Sequence, residues 1–212
     1  LFFSPDGRKV AIKWHWYGHI YIWDVIKKEM IRLIKCPFEI RSFCFSSDGS
    51  TLIIAGTENN TYGRIQLIDV NNGKEIRKMS IYPLLRTNRE GGSDYGYSDV
   101  INANDKWLFA LSRRDSIFCQ WDMSTGDTLK RIKVNSWGYD KLFHINNTDL
   151  IVVKKEFGDS IFIFDFNKGD CINTLSGNAV KIQSVSVSKD GKLLMAAFDN
   201  GKIKIWKIWE LI

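Results

Sequence analysis

The chain has 212 residues, 44% of them hydrophobic, so it carries enough apolar material for a sizeable core. Its 30 Lys and Arg against 24 Asp and Glu leave a net charge of +6, which keeps nucleic acid and anionic surfaces in view until the charges are placed. No apolar run approaches a membrane-spanning helix, and the four cysteines form no Cys-x-x-Cys pair, which sets aside helical membrane proteins and simple zinc sites.

One unit is written five times: a Ser-x-Asp-Gly turn or its remnant, an apolar strand, a short turn, and a strand ending near Trp-Asp. The first copy opens on Ser4-Pro5-Asp6-Gly7 and ends on Trp23-Asp24; the second runs from Ser46-Ser47-Asp48-Gly49 to Ile68-Asp69. The third is anchored by Asn102 and Trp121-Asp122, the fourth by Asn146 and Phe164-Asp165, the fifth by Ser188-Lys189-Asp190-Gly191 and Trp206. Turn anchors lie 42, 56, 44 and 42 residues apart, strand-end anchors 45, 53, 43 and 42. Each copy is a small sheet that cannot bury its faces alone, so copies must stack beside their neighbours. Alternation such as Ile65 and Leu67 between polar neighbours predicts strands over 40–46, 51–56, 64–69 and 75–81 in the second copy. The fifth is expected to form strands over 180–188, 193–198 and 202–207. Asn72-Gly73, Thr125-Gly126 and Lys168-Gly169 supply hairpin turns where glycine tolerates positive φ.

A period in the low forties with Trp-Asp endings resembles the WD-repeat family of β-propellers, and the likeness runs the whole length of the chain. It is strongest in the last copy, where Ser188 to Gly191 and Asp199-Asn200-Gly201 through Trp206 fit the family's two signature elements. No copy has the family's Gly-His before its first strand; Gly177-Asn178 comes nearest and Gly18-His19 falls elsewhere, so the chain reads as a degenerate member. The resemblance implies an all-β propeller of four-stranded antiparallel blades, about five of them, in a single segment spanning 1–212. Blades are expected near 1–35, 36–81, 97–134, 139–176 and 180–212, with an inserted loop at 82–96. The first copy lacks most of its first strand and the last has at most a stub of a fourth, so an incomplete ring belonging to a longer protein is expected.

Placement of the charge argues against a nucleic-acid protein. Lys28, Arg32, Lys35, Lys74, Arg77, Lys78, Lys130, Arg131 and Lys133 fall on the fourth, outermost strands of the first three copies, against Glu29, Glu75 and Asp127. Basic residues there block edge-to-edge pairing, and no aromatic interleaves them as a single-stranded nucleic-acid surface would require. Binding of RNA or an anionic surface by this wall remains the alternative reading.

The family resemblance places the loops between second and third strands, and those entering each blade, on one face. Irregular sequence collects in them: the 82–96 insertion, a second insertion at 58–63, and aromatic and arginine residues in other turns. Trp16, Tyr17, Arg86, Arg89, Tyr95, Arg113, Arg114, Trp137 and Tyr139 are the candidate partner-binding residues, since such side chains bury large area while keeping a polar end. They suit a protein or peptide segment, with the arginines pairing an acidic or phosphorylated side chain. Trp14 is expected to point inward with Ile12.

Candidate chemistry is thin. His15 and His19 straddle a turn with no carboxylate or thiol near in sequence, and His144 precedes a turn where a hydrogen-bonded histidine is usual. Gly91-Gly92-Ser93 has no phosphate-loop context, and no nucleophile motif occurs. Asp6, Asp48 and Asp190 read as turn residues, and Asp24, Asp69, Asp122 and Asp165 as strand-end residues that recur because the blades recur. A non-enzymatic interaction scaffold with no cofactor and no metal is the expectation; a quinoprotein-like or lactonase-like propeller enzyme ranks below it. Cys36, Cys44, Cys119 and Cys171 read as core thiols of a reducing, cytoplasmic or nuclear compartment.

Overall fold

A computed structural model describes residues 1–14, 18–58, 62–80, 97–103, 105–112, 117–133, 139–145, 148–155 and 158–212, with backbone alone at 58, 62, 80, 97–103, 112, 139 and 140. The chain divides into two compact units, 1–135 and 136–212. Among the described residues the strands form five antiparallel sheets, each a meander of consecutive strands.

The first unit holds three sheets of four strands: β1 (Phe2–Phe3), β2 (Lys9–Trp14), β3 (His19–Asp24) and β4 (Glu29–Lys35); β5 (Glu39–Phe45), β6 (Thr51–Glu58), β7 (Tyr62–Asp69) and β8 (Glu75–Ser80); β9 (Tyr97–Ala103), β10 (Trp107–Ser112), β11 (Ile117–Asp122) and β12 (Thr128–Lys133). The second unit holds β13 (Tyr139–His144), β14 (Leu150–Lys155), β15 (Ser160–Asp165) and β16 (Asp170–Ser176), then a three-stranded sheet of β17 (Ile182–Val187), β18 (Leu193–Phe198) and β19 (Ile203–Lys207). First strands lie beside one another within each unit, β1 with β5, β5 with β9 and β13 with β17, so the fold is an all-β propeller with these strands innermost. After β19, Ile208–Glu210 forms a short 3₁₀ turn.

Blades meet face to face. Ala11, Ile20, Ile22 and Ile34 of blade 1 pack against Phe43, Phe45, Leu52, Ile54 and Ile68 of blade 2. On the other face of blade 2, Ile53, Ala55, Ile65 and Leu67 pack against Leu108, Ala110 and Trp121 of blade 3. Val152, Ile161 and Ile163 meet Leu194 and Ala196 in the second unit. Each fully buried Ile or Leu contributes about 1.5–3 kcal/mol. The 58–63 insertion does not form a longer loop throughout: Glu58 pairs with Tyr62 and Thr57 with Gly63, so it lengthens both strands.

The Ser-x-Asp-Gly turns are hydrogen-bonded alike in blades 1, 2 and 5. Ser4, Ser46 and Ser188 each donate a hydroxyl to Asp6, Asp48 and Asp190 at 2.6 Å, and their Oγ accepts the N–H of Lys9, Thr51 or Leu193 at 2.9 Å. Each Asp also accepts a backbone N–H, from Arg8, Ser50 or Lys192. In blade 4 the anchor is one residue earlier than the sequence spacing suggests. Ile145 rather than Asn146 makes the turn's backbone bond to Leu150, and the missing hydroxyl is supplied from the far side by Thr148, whose Oγ1 donates to the Ile145 carbonyl. In blade 3 register likewise puts Ala103, not Asn102, at the serine position, since Asn102 is opposite Leu108 as Phe45 is opposite Leu52.

The strand-end aspartates cap the next turn: one Oδ1 accepts two backbone N–H groups, from Ile26 and Lys27 at Asp24, from Asn71 and Asn72 at Asp69, and from Asn167 and Lys168 at Asp165. The last residue of this turn needs positive φ. Gly73 and Gly126 provide it at 73° and 82°, whereas blade 1 has Lys28 at 57°, where a side chain crowds its own carbonyl.

Two outcomes are expected. Lys28→Gly should raise stability by up to about 1 kcal/mol by removing the left-handed penalty from an exposed position, read as a higher urea midpoint with unchanged slope. Hydroxyl and N–H donors hold the carboxyls of Asp6, Asp48 and Asp190 below their ordinary value of 3.8, Asp48 to about 2, the Ser46 hydroxyl being its largest cause. Because the folded value is the lower one, this stabilisation is present above 3.8 and lost as pH falls through about 2. Unfolding midpoints should therefore drop over that window, and Asp48→Asn should make the drop shallower.

Candidate functional site

Register brings the start of each first strand beside the end of the second. Glu39 is opposite Thr57, Tyr97 opposite Ser112 and Tyr139 opposite Lys155, so in blades 2, 3 and 4 the entering chain and the turn after the second strand share one end of the sheet. This is the end at which the expected partner-binding residues occur in sequence. Trp16, Tyr17, Arg86, Arg89, Tyr95, Arg113, Arg114 and Trp137 lie outside the described residues. Tyr139 opens β13, where its backbone pairs with Lys155. The strand ends bracketing these loops are described: Trp14 and His19, Ser112 and Ile117, Lys155 and Ser160.

Aromatic surface that the sequence reading missed lies on blade 1 itself. Ile12, Trp14, Tyr21 and Trp23 line a hollow of about 450 Å³ on the sheet face turned away from blade 2. Ile12 is opposite Tyr21, and Val10 opposite Trp23. Trp14 shares this face with Ile12 as alternation requires, but the face is uncovered and Trp14 is 63% exposed rather than inward. Register puts Trp23 at the same position as Trp121, which is 1% exposed under blade 2, whereas Trp23 is 38% exposed.

The basic outer strands are not simply a charged wall. Arg32 on β4 crosses to the next blade, where its Nη2 donates to the Asn71 carbonyl at 2.5 Å. Arg77, eight residues after Asp69 as Arg32 is after Asp24, donates from Nη2 to the Ser124 carbonyl at 2.6 Å and from Nη1 to that of Thr125. Both side chains run over the turn glycine of the next blade: a Cβ on Gly73 would lie 2.8 Å from Arg32 Cδ, and one on Gly126 3.0 Å from Arg77 Cδ. Asn173 at the matching place in blade 4 donates to the Leu211 carbonyl at 2.8 Å. Asp105 adds a link in the other direction, accepting the Ser47 N–H at 2.8 Å. These positions latch blade to blade, and other basic residues pair locally, Lys78 with Glu75 and Lys27 with Glu29.

Groups that could do chemistry are dispersed. Asp122 is held low first by the Ser124 hydroxyl and Asp165 first by the Lys168 N–H, so the recurring carboxylates serve their own turns. His144 Nε2 is 2.8 Å from the Thr148 carbonyl, the hydrogen-bonded role expected of it. Among the described residues no group of three or more His, Cys, Asp and Glu could hold a metal. All four cysteines are free thiols. Cys119 is buried and Cys36 half-buried, with burial foremost, then Glu75, pushing its thiol up to about 12; Cys171 is exposed on β16 and is not a core residue. No helix among the described residues is long and apolar enough to cross a membrane.

Comparison with known proteins places these features. The model of the WD domain, G-beta repeat, matches residues 169–207. The chain is 23% identical over 207 residues to the target of rapamycin complex subunit wat1 of Schizosaccharomyces pombe, covering 96% of this chain and 61% of that protein. It is 26% identical over 216 residues to the COMPASS component SWD3 of Saccharomyces cerevisiae, covering 96% of this chain and 62% of that protein. The chain thus spans about three fifths of the length of these curated relatives. Among solved structures, hydrazine synthase of Kuenenia stuttgartiensis superposes with a TM-score of 0.72 at 14% identity, over 92% of this chain and 54% of that one, a likeness of fold alone.

The latch can be tested without any partner. Arg77→Ala should lower stability by about 1–3 kcal/mol through two lost charged hydrogen bonds, and Arg77→Lys should restore little of it because one ammonium cannot span both carbonyls. Lys133→Ala on the next outer strand should stay within about 0.5 kcal/mol of the parent. Equilibrium urea unfolding of the three variants gives the comparison.

Proposed function

Because the chain is a member of the WD-repeat family, we propose that it works as a non-catalytic interaction module, holding protein or peptide segments against the loop end of its blades. The observation that carries this reading is that both curated relatives, aligned over 96% of this chain, are named as parts of multi-protein complexes. The physical support is a division of labour within each blade. Serine, aspartate and arginine side chains are committed to turns and latches, which stiffen the frame, while the least regular sequence lies in loops joining strand ends at one side of the sheets.

Trp16, Tyr17, Tyr95, Trp137 and Tyr139 would provide apolar area with a polar rim, and Arg86, Arg89, Arg113 and Arg114 would pair with acidic or phosphorylated side chains. The residues 1–212 act as one repeat-built segment in this reading, in an intracellular setting consistent with free thiols. No cofactor is required.

The test is affinity capture with the tagged chain and with a Trp16→Ala, Tyr17→Ala, Trp137→Ala variant, each checked for an intact β spectrum by circular dichroism. The triple variant should lose captured partners at least severalfold, and charge reversal at Arg113 and Arg114 should selectively lose phosphorylated ones. An unchanged set of partners on a folded variant would remove this face from consideration.

A further inference from the structure

Two turns of this chain carry the dipeptide Asn-Gly: Asn72-Gly73 after β7 and Asn200-Gly201 after β18. This pair is the one most prone to spontaneous deamidation, because the glycine nitrogen has no side chain beside it to hinder attack on the asparagine carboxamide. Locally the two turns are alike. Asn72 Oδ1 accepts the Lys74 N–H at 2.7 Å and Asn200 Oδ1 accepts that of Lys202 at 3.1 Å, so each carboxamide is folded over the glycine peptide. Each glycine N–H is donated to a backbone carbonyl, Gly73 to Asp69 at 2.8 Å and Gly201 to Phe198 at 2.9 Å. Asn72 and Asn200 are both exposed.

The turns differ in what lies across them. Arg32, reaching over from blade 1, donates from Nη2 to the Asn71 carbonyl at 2.5 Å, on one side of Asn72. Its stem covers Gly73 on the other side: a Cβ there would be 2.8 Å from Cδ, 3.5 Å from Nη1 and 3.6 Å from Nε. Arg32 Nε is itself buried, so the guanidinium is packed on the turn and not held out in solvent. A Cβ on Gly201 would meet nothing within 4 Å. Cyclisation requires the backbone to rotate about Asn72, so that the Gly73 nitrogen leaves the Asp69 carbonyl and faces the carboxamide carbon. With the carbonyl before Asn72 bonded and the glycine after it covered, that rotation requires Arg32 to lift away.

We infer that Asn72 is a deamidation site held closed by the Arg32 latch between blades 1 and 2. When the latch opens, the Gly73 nitrogen gives up its proton to solvent and bonds to Asn72 Cγ. The bond from Cγ to the side-chain nitrogen breaks, ammonia leaves, and a five-membered succinimide remains. Water opens that ring at either carbonyl, giving aspartate or isoaspartate at position 72. Isoaspartate routes the main chain through an extra carbon, which takes Gly73 from its bond to Asp69 and from its place beneath Arg32. One opening of the seam is thereby made permanent.

Peptide mapping by mass spectrometry, after incubation of the folded 212-residue chain at mildly alkaline pH, tests this with Asn200 as the reference site in every sample. In the parent, Asn72 should convert severalfold more slowly than Asn200. Arg32→Ala should raise the Asn72 rate severalfold at an unchanged Asn200 rate. Arg32→Lys should protect little better, because an ammonium lacks the fork that holds the carbonyl while the stem covers the glycine. Arg77→Ala removes the equivalent latch one blade further on and leaves Arg32 in place, so Asn72 should stay slow in it; this separates loss of the Arg32 latch from a general loss of stability. Equal rates at the two sites in the parent, an Asn72 rate that Arg32→Ala leaves unchanged or lowers, a rise shared equally by both sites, or an equal rise in Arg77→Ala would each overturn the proposal.

Discussion

A four-stranded sheet with apolar residues on both faces cannot be stable in water alone, and that constraint organises this molecule. Where a blade has neighbours on both sides, its second strand is buried on both faces and reads as an unbroken apolar run, as in Leu52-Ile53-Ile54-Ala55, all 0% exposed. In blade 1 burial alternates: Ala11, facing blade 2, is buried while Val10 and Ile12 on the other face are only half-buried. Strand length, repeat period and the placement of large against small side chains all follow from the need to fit one sheet against the next.

Polar side chains complete what apolar packing leaves open. The reversals between strands carry backbone N–H groups with no partner in the sheets, and serine and aspartate oxygens accept them at the Ser-x-Asp-Gly turns and after the strand-end aspartates. The hydrogen bonds that secure these turns also favour the charged carboxylate, so the lowered pKa of Asp6, Asp48 and Asp190 reports architecture. Arginine does the corresponding work between blades. Its planar fork reaches two neighbouring carbonyls, and the glycine beneath it leaves room for the stem. The recurrent carboxylates and the latch arginines Arg32 and Arg77 have structural employment here.

A frame stiffened in this way suits recognition. Strands joined by full ladders and turns tied by side chains move little, so loops carried at their ends can vary without cost to the core. The relatives that align over nearly the whole chain are named as components of assemblies, in keeping with such a division between constant frame and variable loop.

Strand class, period and hairpin turns were legible in the residues because alternation, glycine at positive φ and the Ser-x-Asp-Gly motif are local properties, decided within a few positions of the chain. Anchor assignments slipped by one residue in blades 3 and 4, at Asn102 and Asn146, because the motif there has lost its serine and only backbone pairing identifies Ala103 and Ile145 as its place. The exposure of Trp14 and Trp23 and the bridging by Arg32 and Arg77 could not be read locally. The same residue type at the same register is core or surface according to whether another blade lies over it, as Trp121 and Trp23 demonstrate. Local sequence determined that these sheets form; the neighbour across each face, which belongs to tertiary structure, decided which of their side chains are buried, latched or exposed.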